Sequence, residues 1–449
     1  MKYRVCFAVA GFISFVSAGF AQAPLLPEQI FPELQPVLAS ALQQSPRMIE
    51  RNLDLEAVAG DRMQARAGLY PQVRASFQES LTRDKREDVA EVLSTERLYY
   101  NVSVNQPIFY WGDVRNRAKI GDIREKIVLK QYRQGYTALS QEIRGTYLGM
   151  ILQKTQLQAT QYNQEQTELA LKLKEDQLRK GAIPEADIFH PRIAMKQAVL
   201  TTERMRAALD ETKRGFQLLT GAPLLSDDAI PATIPRINVV SGGTDSLLAA
   251  FLSQDEPKTV ATEVAKQQLE IERINYAMTR TVLRPKFDLV AGISQDQQSY
   301  STNLAAKYGL RSIFIGVGGN WSIFDGFGAR GGTRASLARL RKNEANYKRL
   351  VENLSADARR AAQQLKFAER QMLIQEELLD SATNFLKDRQ EQLARNAASP
   401  TDVAAVQGVY YRELLTTLQQ RSDYLLKFAE FLALVKEDPA LTNLPAKFR

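Results

Sequence analysis

The stretch PIFYWGDVR at residues 107–115 decides how this chain is read, because it returns 215 residues later as SIFDGFGAR at residues 322–330. The same offset carries Leu178 to Leu393, Asp187 to Asp402 and Phe216 to Phe431. An alternating, extended segment lies before each copy and a long segment of helical pattern follows it. A module of this length is a duplicated supersecondary unit, not a solenoid repeat of about 20 to 50 residues.

The helical part is unusually long. Residues 333–398 contain neither glycine nor proline, and as one helix they would extend on the order of 100 Å at ~1.5 Å per residue. Val351, Ala358, Leu365, Met372, Leu379, Leu386 and Leu393 recur every seven residues, with Leu354, Ala361, Ala368 and Ala382 beside them. A strict seven-residue period implies left-handed supercoiling against neighbouring helices. The first copy carries the same seam at Ile143, Met150, Leu157, Leu171 and Leu178, interrupted by Gln164.

Each long helix is followed by a breaker and a shorter helix. Gly181 and Pro184 lead into one ending near Leu219, and residues 396–400 into one ending near Val435. At the second tip Ser399, Pro400 and Asp402 supply an N-cap, a first-position proline and a first-turn acid. Pro191 either kinks the first of these helices or makes it start late, near Asp187. Shorter helices are expected before each copy, at about 33–69 and 256–283. In each copy two short helices together match the long one, so stacked end to end they flank it in a wall of uniform height.

Four segments alternate with period two. Val73, Ala75 and Phe77 share a face, as do Tyr100, Val102 and Val104; Phe287, Leu289, Ala291 and Ile293; and Ile313, Ile315, Val317 and Trp321. They form two hairpins, at about 71–109 and 285–325, closed by polar loops. Strands of about ten residues suit a tilted membrane strand. Trp111 and Trp321 stand where strand gives way to helix, as an aromatic belt at one bilayer interface requires. Four strands cannot close, and open edges are not tolerated in lipid. Two chains would give a filled eight-stranded barrel, whereas three leave a pore, so a homotrimer is expected.

Residues 1–23 read as a secretory signal, with Lys2 and Arg4, an apolar run, and an Ala-Gln-Ala cleavage site. Removing them removes Cys6, the one cysteine, and with it disulfide and thiol chemistry. The net charge of +8 is small against 24% charged residues of mixed sign. Nucleic-acid binding is not indicated. One histidine, His190, reads as a surface residue; no metal, cofactor or catalytic set is expected, and the chain is not read as an enzyme.

These features together resemble the TolC family of outer-membrane efflux and secretion ducts. The carrying motifs are LYPQV (69–73) and LRPKF (283–287) at the strand starts, NQPIFYWGDVR and NWSIFDGFGAR at the strand ends, and GAIPEAD (181–187) at the first helical tip. The resemblance covers nearly all of the mature sequence. It implies a mainly α fold with β: long helical hairpins forming a periplasmic tunnel, plus four strands per chain in a twelve-stranded trimeric barrel in the lipid of the cell outer membrane. The division that follows is a signal at 1–23, a first repeat at 24–221, a linker and equatorial region at 222–255, a second repeat at 256–436 and an equatorial tail at 437–449.

The resemblance further implies a passive duct for a tripartite efflux pump or type I secretion system, docked on a periplasmic adaptor and an inner-membrane transporter. At the periplasmic gate Asp402 matches the position of a constricting carboxylate ring, where three symmetry-related carboxylates would attract cations and repel anions, and Asp187 matches an acid of the network that holds neighbouring helices closed. Gly181, Pro184, Ser399 and Pro400 match the helical tips where an adaptor docks. The chain departs from the family pattern at Ala398 and Ala405, where an arginine and a further acid would stand; Arg395 or Arg179 are the substitutes at hand. Read without the barrel, the same hairpins would make a periplasmic coiled-coil adaptor or scaffold.

Overall fold

Twin helices of 67 residues, α4 (Asp113–Arg179) and α8 (Gly328–Ala394), run the length of the helical part, about 100 Å each. They belong to a computed structural model that describes residues 26–85, 87, 92–239, 242–300 and 303–448. The expected signal at 1–23 lies outside the described residues. Before α4 come α1 (Pro27–Ile30), α2 (Leu34–Gln44), α3 (Pro46–Ala67), β1 (Gln72–Lys85) and β2 (Val92–Phe109). Between the long helices lie α5 (Phe189–Thr220), α6 (Gly243–Leu252), α7 (Val260–Thr279), β3 (Lys286–Tyr300) and β4 (Asn303–Asn320). After α8 comes α9 (Pro400–Val435), then a tail with 3-10 turns at Pro439–Asn443 and Ala446–Phe448.

Three expectations need correction. The helix read over 33–69 is two, because Ser45 is extended (φ −64°, ψ 129°) and Pro46, which has no N–H to give, opens α3. The helix read over 256–283 is only α7, started by a reciprocal cap between Thr259 and Thr262. The strands are 14 to 18 residues long, not about ten. Backbone pairing continues past the apolar residues into polar ones such as Arg83 and Glu96. Pro191 is accommodated as the third residue of α5, where its missing N–H has no intrahelical partner to lose.

The helices form a continuous wall. α3 and α5 both lie along α4, α7 and α9 both lie along α8, and α4 also touches α7 and α9. The short helices meet end to end: Gly221, at φ +71°, ends α5 so close to α2 that a Cβ there would sit 2.5 Å from the Gln44 carbonyl oxygen. The heptad seam of α8 is buried at Ala358, Leu365 and Met372, and that of α4 at Ile143 and Met150.

The main core sits partway along the wall, where the chain's ends and the 222–239 segment wrap the helices. Ile230, Ile234 and Ile237 are buried there, and Phe448 stacks on Tyr132 at 4.4 Å. Arg144 of α4 is wholly buried between Glu28 (2.6 and 2.9 Å) and Asp438 (2.7 and 2.8 Å). Burial opposes its charge, but the hydrogen bonds to Asp438 and Glu28 outweigh that and raise its pKa above the ordinary arginine range. A second buried pair, Arg421 with Glu376 at 2.6 and 2.7 Å, joins α9 to α8. Arg421 also donates to the Ile234 carbonyl, fastening the wrapping segment.

Candidate functional site

The four strands form one antiparallel sheet in the order β1-β2-β3-β4. Its register brings every segment with an apolar alternation onto a common face. Val73, Val104, Ala291 and Ile315 make one row across all four strands, and Ala75, Val102, Ile293 and Ile313 make the next. On β4 this face is open: Ile313 is 83% exposed, Ile315 78% and Val317 68%. The band runs from the row of Phe77, Tyr100, Gln295 and Arg311 down to Trp321. At ~3.3 Å per residue and a strand tilt of about 40°, that is about 25 Å of height. The opposite face is polar, carrying Asn101, Ser103 and Asn105, and Arg97 grips Asp296 at 2.6 and 2.9 Å. Among the described residues, β1 and β4 each have one edge without a strand partner.

Below the band, strand turns into helix through two consecutive left-handed residues. They are Trp111 (φ 55°) and Gly112 (φ 86°) before α4, and Gly326 (φ 64°) and Phe327 (φ 69°) before α8. Both tryptophans anchor on the LRPKF segment. Trp111 Nε1 donates to the Pro285 carbonyl at 2.7 Å and Trp321 Nε1 to that of Leu283 at 3.0 Å. The Arg284 guanidinium lies 4.6 Å over the Trp111 ring. In the first copy Gln106 stands where Trp321 stands in the second, and it donates to the Leu69 carbonyl of LYPQV at 3.2 Å. This anchoring role of the tryptophans is invisible in composition; the matched motif positions of Gln106 and Trp321 were the available signal.

At the far end of the wall the two helical tips share one backbone solution. Gly181 (φ +69°) ends α4, with its N–H on the Leu178 carbonyl (2.8 Å) and the Ala182 N–H on that of Gln177 (2.9 Å). Asn396 (φ 58°) ends α8, with its N–H on Leu393 (2.9 Å) and the Ala397 N–H on Gln392 (2.8 Å). Both are the paired-bond helix ending that favours glycine or asparagine in the left-handed position. The return strokes differ. Ser399 caps α9, its Oγ accepting from the Asp402 N–H at 3.1 Å while Asp402 Oδ2 accepts from the Ser399 N–H at 3.1 Å, and Pro400 takes the first helical position. Pro184 instead precedes a 3-10 turn at Glu185–Ile188 with no side-chain cap, and only Ile188 is buried there.

The two acids therefore sit differently. Asp402 is exposed and partly engaged as a cap; the side-chain and backbone hydrogen bonds with Ser399 hold its carboxyl below the ordinary range. Asp187 is exposed in the 3-10 turn and makes no side-chain hydrogen bond or ion pair among the described residues. Neither substitute arginine reaches them: Arg179 pairs with Asp176, and Arg395 lies 3.8 Å from Glu391, each on its own helix. His190 is exposed, edge-on to Phe189 at 5.8 Å. Among the described residues no cluster of metal-ligand type occurs, and no helix is long and apolar enough to cross a membrane.

The family model described as outer membrane efflux protein matches residues 37–222 and 262–435 of this chain. No curated protein sequence matches it. Among solved structures it is similar to the Campylobacter jejuni CmeC outer membrane channel at 13% identity, with a TM-score of 0.72 and coverage of 100% of this chain and 99% of that one. It is similar to the outer-membrane channel OprN at 15% identity, with a TM-score of 0.68 over 98% and 99% of the two chains. The outer membrane protein VceC of Vibrio cholerae is 15% identical, with a TM-score of 0.64 over 91% and 99%. At such identities the likeness is one of fold.

Proposed function

Because this chain belongs to the outer membrane efflux protein family, we propose that it acts as a trimeric outer-membrane channel-tunnel, the passive exit duct of a tripartite efflux pump or type I secretion system. The observation that carries this reading is the sheet: an apolar band in register across four strands, with an edge at each side that has no strand partner among the described residues. A bilayer accepts such a band only if the edges close on further strands. Three chains supply twelve, enough to surround a water-filled bore lined by the polar face. The chain is a duplicated module, and the helical wall continues each strand pair as tunnel.

In this reading Trp111 and Trp321 form the periplasmic-side aromatic belt. Gly181, Pro184, Ser399 and Pro400 present the tips to a periplasmic adaptor, which links the duct to an inner-membrane transporter. Asp187 and Asp402 ring the narrow end, where three copies of each carboxylate favour cations. Asp187, with no side-chain hydrogen bond or ion pair among the described residues, is the freer contributor.

Fractionation tests the whole reading: the mature protein is expected in the outer-membrane fraction, released by detergent as a trimer. Recovery as a soluble periplasmic monomer would replace it with the adaptor or scaffold reading. The gate assignment is tested by Asp402→Ala and Asp187→Ala in planar bilayers, where cation preference should fall; unchanged reversal potentials would remove these residues from the pore.

A further inference from the structure

The chain contains, at its own centre, a junction between one module and the next. There β2 pairs with β3, and α4 packs on α7 and α9. The free margins of the chain, β4 with α8 on one side and β1 with α3 and α5 on the other, are the same elements of the duplicated module. The two hairpins also keep a common register. Val73 faces Val104 in the first, and the residues 214 and 215 positions later, Phe287 and Gly319, face each other in the second. The central junction can therefore be transposed, residue by residue, onto the margins.

We infer that each chain joins the next through a copy of its own internal junction, with Ile315 of one chain opposite Leu81 of its neighbour; this rests on the ring of copies proposed above. Tyr100 faces Gln295 across β2 and β3. Advancing Tyr100 by 215 positions gives Ile315, and moving Gln295 back by 214 gives Leu81. Both are 78% exposed on the apolar face, so the transposed pair is two aliphatic side chains at one level of the lipid-facing surface.

The helices give an independent check, since charge complementarity need not survive transposition by chance. Lys119 of α4 pairs with Glu270 of α7 at 2.7 Å. The transposed positions are Arg334 and Glu56, again a cation and an acid in the same order. The ring of Tyr162 of α4 lies tilted against that of Tyr411 of α9 at 5.4 Å; its transposed pair is Glu377 with Lys196. All four charged residues are exposed, and among the described residues none has an ion-pair partner. Of the two α4–α7 ion pairs among the described residues, the interchain contact thus keeps that of Lys119 with Glu270 and loses that of Lys130 with Glu263, whose transposed positions are Ala345 and Ile49, and it gains another where the internal junction uses tyrosines.

Introduced cysteines test the register, since the only natural cysteine is Cys6 within the expected signal. Residues directly opposite in an antiparallel pair have Cα atoms about 4.5 to 5.5 Å apart, within disulfide reach. Leu81→Cys combined with Ile315→Cys should give covalent multimers on a non-reducing gel. Leu81→Cys with Ile313→Cys, or with Val317→Cys, should give at most a small fraction of that yield. A membrane-embedded trimer that crosslinks best in either shifted pair, or in none, would overturn the register while leaving the duct intact. A soluble monomer in every variant would remove the duct itself, and this inference with it. Arg334→Glu and Glu56→Arg should each lower the temperature at which the trimer dissociates in detergent, and combining them should restore it; additive losses would overturn the helix pairing.

Discussion

At the first strand-to-helix junction the left-handed pair is Trp111 then Gly112; at the second it is Gly326 then Phe327. The backbone demand is the same at both sites, yet glycine meets it at opposite positions, leaving one bulky aromatic in a left-handed conformation each time. Such a conformation costs roughly 1 to 2 kcal/mol for a residue with a Cβ. Trp111 offsets that cost through its bond to Pro285, the Arg284 cation over its ring and an edge contact with Phe109 at 4.7 Å. Phe327 has one ring contact, to Phe324 at 5.4 Å, and is 67% exposed. The turn is thus a property of the module. The aromatic that tolerates strain is placed by what surrounds each copy.

Substitutions at matched positions sharpen that contrast. The largest effect is expected from Trp111→Ala, which keeps the strained backbone and loses the contacts that hold it; unfolding by denaturant in detergent should show a loss of about 2 to 4 kcal/mol. Trp321→Ala, at an exposed site with one hydrogen bond, should lose clearly less. Next come the glycines: Gly112→Ala should destabilise by roughly 1 to 2 kcal/mol, and Phe327→Gly should recover up to about 1 kcal/mol, because only the second removes a Cβ from left-handed backbone. Equal and opposite effects of Gly112→Ala and Phe327→Gly, the matched second positions of the two pairs, would support a single shared turn.

The helical tips offer the smaller tests. Ser399→Ala removes a cap that the first tip lacks and should cost about 1 kcal/mol. The linked carboxylate adds a pH dependence. The Asp402 carboxyl is held below its ordinary range in the folded chain, so its capping contribution is complete above the unfolded carboxylate pKa and disappears as pH falls through the lowered folded one. Asp402→Asn should flatten the acid limb of stability, read by helix melting between neutral and acidic pH. Smallest of all, Asn396→Gly should gain a few tenths of a kcal/mol, since Gly181 already has what that position prefers.

Much of this molecule is legible without coordinates. Period-two alternation named the apolar faces of all four strands, and the observed register sets those residues side by side. The glycine-free span and seven-residue seam foretold the long helices, and Ser399, Pro400 and Asp402 were legible as a helix start because capping is local chemistry. The split at Pro46 was not legible, since proline is as acceptable at the first position of a new helix as it is disruptive within one. Strand length was also missed: pairing of backbone groups carries the strands beyond the apolar residues that advertise them.

What the amino-acid order determined by itself was of short reach: the helix and strand periods, the cap at Ser399 and the motif that returns at residues 322–330. Only the tertiary structure decided that Arg144 lies buried between acids 116 and 294 residues away, and that both tryptophans fasten on one segment of chain. It also decided that neither Arg179 nor Arg395 reaches Asp187, which has no side-chain partner among the described residues. The physical reason is that these outcomes depend on which distant groups share a desolvated space, and no period along the chain encodes that proximity.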